Sequence, residues 1–321
     1  MKYSPLFWPI ELKEDRILIL DETKLPQEVS YIEAKDYLEA CSAIKDMKTR
    51  AVGQVILVMY TFLLEVRKNK QADLKKVAEA INATRPTLSF KFLTDMMLGW
   101  VESGEPLEKY INGFLEGLKY ARIRQAEEAA RLFNDEDVVL THCNVSGLLP
   151  LIAQICAKEN KKISFFVTET RPYLQGSRLT AWELMEAGID TTIICDDMVA
   201  QVMSEGKIKK VIVGADNLAQ NGDFANKIGT YQIAILAKHF NIPFFVLCPP
   251  VAKAKTGRDI NLEIRPDEEL LEYHGIRLAP KNAKAYYPAF DITPNELVTK
   301  HIFLKIQDMA MKISKPDYGM E

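Results

Sequence analysis

The sequence predicts an α/β protein in two parts: an N-terminal helical domain with a small β cap over residues 1–134, then a parallel-sheet domain over 135–321. Three observations carry this. Apolar residues recur at helical spacing through 31–132, short apolar runs alternate with helical stretches afterwards, and the charged link Asn134-Asp135-Glu136-Asp137 separates the two rhythms. A chain of 321 residues can bury a sizeable core without disulfides or metals.

In the first part, stretches 34–47, 54–68, 72–81, 89–98 and 107–133 place apolar side chains three and four residues apart, as helices that bury one face do. Ahead of them, 16–20 and 28–32 read as two short strands around Asp21-Glu22-Thr23-Lys24-Leu25-Pro26, a hairpin-like cap. In the second part, the runs 138–143, 164–170, 191–195, 210–215 and 244–248 are apolar on both faces, which implies a parallel sheet covered by helices. The helices expected between them are 149–158, 181–187, 198–205 and 226–240.

Composition narrows the function classes. The apolar share of 48% and charged share of 26% are ordinary for a soluble globular protein, and a net charge of -3 leaves no global basic field for nucleic acid. The N-terminus has no signal pattern and no apolar run approaches the roughly 20 residues of a membrane span, so a cytoplasmic location is expected. Five cysteines without a CxxC pair and four scattered histidines argue against a metal site.

In open α/β sheets ligands sit beyond the carboxyl ends of the strands, which directs attention to the residues there. The first run ends in Thr141-His142-Cys143-Asn144-Val145-Ser146-Gly147 before a helix. Helix amides can favour a thiolate at Cys143, though a buried cysteine of structural role would read the same way. The second run enters Thr168-Glu169-Thr170-Arg171-Pro172-Tyr173-Leu174-Gln175-Gly176-Ser177-Arg178. Gln175 can bind a sugar hydroxyl, and the two arginines suit phosphate oxygens or plain surface ion pairs.

The fourth run ends in Gly214-Ala215-Asp216, where partial desolvation would raise the carboxyl pKa and suit it to proton transfer. Asn226 and Lys227 are expected in the first turn of the next helix, where amides and the dipole favour a phosphate. Turn or capping roles for Asp216 and Asp223 and a solvated Lys227 are the plain alternatives. In the helical part, Arg50 and Arg85 each stand at a helix boundary, either as surface charges or as cations of a site between the domains.

Taken together, Thr141-His142-Cys143-Asn144, the stretch from Arg171-Pro172-Tyr173 to Ala181-Trp182-Glu183-Leu184, Gly214-Ala215-Asp216, Asn221-Gly222-Asp223-Phe224-Ala225-Asn226-Lys227-Ile228-Gly229-Thr230-Tyr231 and Pro288-Ala289-Phe290-Asp291-Ile292-Thr293-Pro294 resemble the methylthioribose-1-phosphate isomerases. The wider family includes ribose-1,5-bisphosphate isomerase and regulatory subunits of the guanine-nucleotide exchange factor of eukaryotic translation initiation. The resemblance implies a Rossmann-like second domain that uses no nucleotide, no cofactor, a homodimer and a role in methionine salvage.

By that resemblance, Cys143 and Asp216 handle protons, while Arg50, Arg85, Gln175, Asn226 and Lys227 bind the substrate. That substrate is 5-methylthioribose 1-phosphate or another 5-modified ribose 1-phosphate. The family's first arginine is usually followed by Gly-Ala-Pro, whereas here Arg50-Ala51-Val52-Gly53 puts alanine where positive φ would favour glycine. A non-catalytic subunit of the exchange-factor type remains the alternative. A nucleotide-dependent dehydrogenase is disfavoured because no GxGxxG follows the early strands.

Overall fold

The computed structural model describes residues 1–85, 90–104, 106–273 and 275–305. The start of the 89–98 helix, Pro86-Thr87 beside Arg85, and the tail from Ser314, which reads from the sequence as loose, lie outside the described residues. The chain divides into two compact units, one holding Pro5–Arg124 and the other Met1–Ser4 with Gln125–Leu304.

The first unit opens with a three-stranded antiparallel sheet, β1 (Ile10–Leu12), β2 (Ile17–Leu20) and β3 (Tyr31–Ala34), in that order. The sequence reading has only two strands here. Ile10-Glu11-Leu12 is too short to show alternation by itself, and it is fixed by pairing Ile10 with Ile19 and Leu12 with Ile17. Helices α1 (Tyr37–Lys45), α2 (Val52–Lys68), α3 (Leu74–Asn82) and α4 (Lys91–Glu102) follow, and α5 (Leu107–Ala130) begins in this unit. Asp36 caps α1 by accepting from the amides of Leu38 and Glu39, and Asp73 caps α3 through Lys76. Ile56, Leu57, Val58, Phe62, Leu63 and Leu64 of α2 are buried.

Helix α2 starts without a side-chain cap. Ala51, just ahead of it, takes φ 45° and ψ −119°, a conformation that costs an L-residue on the order of 1–3 kcal/mol. Alanine therefore does not abolish the positive φ expected of glycine there; it adopts it under strain.

The second unit is built on a six-stranded sheet in which every neighbouring pair is parallel. In chain order its elements are β4 (Val138–Thr141), α6 (Leu148–Lys158), β5 (Ser164–Thr168), α7 (Ala181–Glu186), β6 (Thr191–Ile194), α8 (Val199–Ser204) and β7 (Lys210–Gly214). Then come β8 (Asn217–Leu218), β9 (Phe224–Lys227), α9 (Thr230–His239), β10 (Phe244–Cys248), α10 (Glu268–Leu271), the small pair β11 (Glu272–Tyr273) and β12 (Ile276–Arg277), β13 (Phe290–Thr293) and β14 (Lys300–Phe303).

Strand order in the sheet is β14-β10-β7-β4-β5-β6, so the chain winds outward from β4 to β6 and then returns to the other side of β4 with β7. The mixed helix and sheet architecture agrees with the α/β class read from sequence. Leu140, Val211, Val213, Phe244 and Val246 of the sheet pack with Val199 and Val202 of α8 and Ile233, Ala234 and Ala237 of α9. Burial of each of these Leu, Val, Ile and Phe side chains is worth about 1.5–3 kcal/mol.

Two features depart from the sequence reading. The sixth strand, Lys300-His301-Ile302-Phe303, buries only Ile302 and so lacks the two-faced apolar run that marks a central strand. The helix expected over 226–240 begins only at Thr230, because Phe224-Ala225-Asn226-Lys227 forms β9 in a second, antiparallel sheet of order β13-β9-β8. Asn226 and Lys227 are therefore on a strand, not in the first turn of a helix.

Candidate active site

The strand order reverses between β4 and β7, and that crevice is where a parallel sheet of this kind offers a ligand site. Cys143 stands two residues beyond the end of β4, and Asp216 two residues beyond the end of β7. Gly214 at the mouth of the crevice keeps the two loops close: a Cβ there would lie 2.7 Å from Cγ1 of Val145.

Cys143 is buried and adopts φ 63°, a left-handed conformation uncommon for a residue with a side chain. Two threonines hold it there. Its amide donates to Oγ1 of Thr170 at 3.0 Å, and its carbonyl accepts from Oγ1 of Thr180 at 2.5 Å. Each threonine is itself fixed. The Thr170 amide donates to Asp196 at 2.8 Å, and Thr180 accepts from Nδ2 of Asn144 at 3.0 Å. Asn144 also donates to the buried Glu183 at 2.9 Å and accepts from the amide of Ser146, closing the turn into α6.

Thr180 ends a five-residue π turn, Gly176–Thr180, that feeds α7. Such turns interrupt helices often at functional sites. Gly176 is required here, since a Cβ would lie 1.7 Å from the Thr168 carbonyl oxygen.

His142, next to the thiol, is a brace. Its Nε2 lies 2.8 Å from the Ile228 carbonyl and its Nδ1 2.6 Å from Oγ1 of Thr168. A carbonyl can only accept, so Nε2 carries the proton and Nδ1 accepts from the hydroxyl. Burial, outweighing the pull of Asp196, lowers the imidazole pKa and keeps the ring neutral. The brace ties β4 to the end of β9.

Asn226 and Lys227 are both buried. Asn226 donates to Thr230 Oγ1 at 2.9 Å, and Lys227 reaches the Tyr287 hydroxyl at 3.5 Å with its ammonium 4.7 Å from the Phe290 ring centre. Gln175 is buried too, and its Oε1 has no hydrogen-bond partner among the described residues. A buried amide oxygen left unpaired costs about 1–3 kcal/mol, which a ligand hydroxyl would remove.

Asp216 differs from the expectation. Its amide bonds the Ala225 carbonyl at 2.8 Å, but the residue is exposed rather than desolvated at its strand end. The arginines of the same loop region serve the protein itself: Arg171 donates to the carbonyls of Pro172 and Leu270, and Arg178 lies over the Tyr173 ring. Asp223 takes the turn role, accepting from the amides of Gly257 and Asn295.

Arg50 and Arg85 belong to the first unit. Glu22 accepts from Thr49, from the Arg50 amide and from Arg50 Nε at 3.1 Å, while Arg85 Nη1 lies 3.0 Å from the Met47 sulfur. The unit thus gathers both arginines around the loop 47–50. Burial dominates at Glu22 and raises its pKa despite the Arg50 charge.

Asp291, which the sequence offered only as part of a motif, caps α9 by accepting from the amides of Gly229 at 2.7 Å and Tyr231 at 3.1 Å. Burial nevertheless pushes its carboxyl up from 3.8 to about 6. Between these values the folded chain holds a proton that the unfolded chain releases, so stability falls as pH rises through that window. In Asp291→Asn that slope is expected to flatten. Urea midpoints measured from pH 4 to 6 check this, and parallel profiles for the two proteins would refute it.

Among the described residues no group of three or more His, Cys, Asp or Glu is placed to hold a metal ion, and no helix is long and apolar enough to cross a membrane. A buried thiol, a buried lysine and two buried amide side chains thus stand in the segments that end or follow β4, β5 and β9 of an α/β protein. The chain belongs to the initiation factor 2 subunit family, which it matches over residues 43–303.

The resemblance drawn from the motifs is borne out by relatives of known name. A methylthioribose-1-phosphate isomerase of Pseudothermotoga lettingae is 39% identical over 312 residues, spanning 88% of this chain and 89% of that one. Among solved structures, 5-methylthioribose 1-phosphate isomerase of Pyrococcus horikoshii superposes with a TM-score of 0.80 at 30% identity, covering 94% and 93% of the two chains. The translation initiation factor eIF-2B subunit delta of A. fulgidus does so with 0.79 at 36% identity, covering 93% and 94%.

Proposed function

We propose that the chain is an aldose–ketose isomerase that converts 5-methylthioribose 1-phosphate to the corresponding ribulose 1-phosphate, with Cys143 and Asp216 as its proton-handling pair. The observation that carries this reading is their position, two residues past adjacent strands where the strand order reverses. The relatives named as isomerases, matched over most of their length, favour it over a regulatory subunit.

A 1-phosphate locks the sugar as a closed ring. In the proposed reaction the bond from C1 to the ring oxygen breaks and that oxygen takes a proton. The C2 hydrogen leaves as a proton to give an enediol-type intermediate, and C1 receives a proton as the C2 hydroxyl becomes the carbonyl. No co-reactant is consumed. Gln175, Asn226 and Lys227 bind the sugar phosphate, and Arg50 and Arg85 are assigned to phosphate on the strength of the sequence motif alone. As the resemblance implies, we take the working form to be a cytoplasmic homodimer.

Assaying the purified chain side by side with 5-methylthioribose 1-phosphate, 5-deoxyribose 1-phosphate and ribose 1,5-bisphosphate tests the reading. Turnover of the first at a kcat/KM at least about tenfold above the others is expected; no turnover of any would reject it in favour of the regulatory role. In deuterated water, deuterium at C1 of the product is expected from the proton route.

A further inference from the structure

Beside Lys227 stands a hydrogen-bond donor that the acid–base pair does not use. Tyr287 immediately precedes the motif Pro288 to Pro294 and is only 4% exposed. Its hydroxyl meets Nζ of Lys227 at 3.5 Å. An ammonium has only hydrogens to give, so the phenol oxygen accepts and its own proton points elsewhere. Among the described residues, no other group bonds that hydroxyl.

The main chain that carries the ring is held in place. The Arg265 amide donates to the Tyr287 carbonyl at 2.9 Å, and the Arg265 guanidinium is itself fixed by Glu263 and Glu269. Burial first, then the charge of Glu269, with Cys143 among the smaller contributors, push the phenol well above its usual value. It stays protonated across any working pH, so its one O–H is always there to donate. Cys143 is thus within electrostatic reach of the same hydroxyl.

We propose that the Tyr287 hydroxyl donates a hydrogen bond to an oxygen of the sugar phosphate bound at Lys227, which makes it a substrate-contacting residue of the isomerisation. This rests on the isomerase reading above. It adds a neutral donor that reads ligand oxygen where the lysine reads charge.

The test is Tyr287→Phe, which keeps the ring and removes only the hydroxyl. The variant is assayed for kcat and KM with the substrate that the parent turns over. Binding of that sugar phosphate is measured by calorimetry to Cys143→Ser protein with and without the second change. A fall in kcat/KM of roughly 10- to 100-fold, with weaker binding in the Cys143→Ser background and an unchanged melting temperature, is expected. Values within twofold of the parent in both measurements overturn the proposal while leaving the isomerase reading intact. A parent chain that neither binds nor converts any sugar phosphate of the panel sinks both.

Discussion

Cys143→Ser is expected to lower turnover by about 100- to 10,000-fold while melting like the parent chain, since the proposed proton-transfer group is lost and the volume at a buried site barely changes. The hydroxyl is a far weaker acid than the thiol, so it keeps its proton and supplies no anion to take one up at the same pH. The two threonines bond the backbone of residue 143, not its sulfur, so the left-handed turn survives the change. Asp216→Asn should lose turnover to a comparable degree, and its exposure means that the fold will hardly register the substitution. Steady-state rates and melting curves on the two variants decide the matter. A folded variant with parental turnover would remove that residue from the proton-handling pair.

Gly176→Ala is expected to destabilise the second unit by about 3 kcal/mol or more, the upper range for overpacking a tight site. The new methyl would meet a backbone oxygen at 1.7 Å and Oγ1 of Thr170 at 2.8 Å, and a carbonyl within a sheet cannot step aside as a side chain tip can. Relief requires the loop after β5 to move, and with it the hydroxyl that holds the Cys143 amide. Urea unfolding should show a lower midpoint together with lost turnover; a parental midpoint would mean that the loop yields without cost.

Much of this was legible in the residues themselves. The five strands β4, β5, β6, β7 and β10 were readable as short apolar runs, most of them buried on both faces. The satellite sheet was hidden because Phe224-Ala225-Asn226-Lys227 buries two polar side chains and runs directly into helical spacing. Cys143, Gln175 and Lys227 were singled out through the motifs that contain them. Thr170, Thr180, Glu183 and Asp196 were not, because hydroxyls and carboxylates are common and their partners lie 26–39 residues away in the chain. The exposure of Asp216 was beyond reach of the sequence for a related reason: whether a strand end is wet depends on what covers it, and no local pattern encodes that.

The four residues of β13 have a consequence for how this region opens. Phe290 pairs with Lys227 and lays its ring near the ammonium, Asp291 pairs with Asn226 and closes the start of α9, and all of this depends on one short strand. Local unfolding of that strand would release the cation, the amide and the helix start in a single step with one free energy. Amide exchange at Ile228, which bonds the Ala289 carbonyl, and at Gly229 should therefore slow together when a ligand occupies Lys227, so that occupancy of the proposed binding groups can be read from the breathing of this strand.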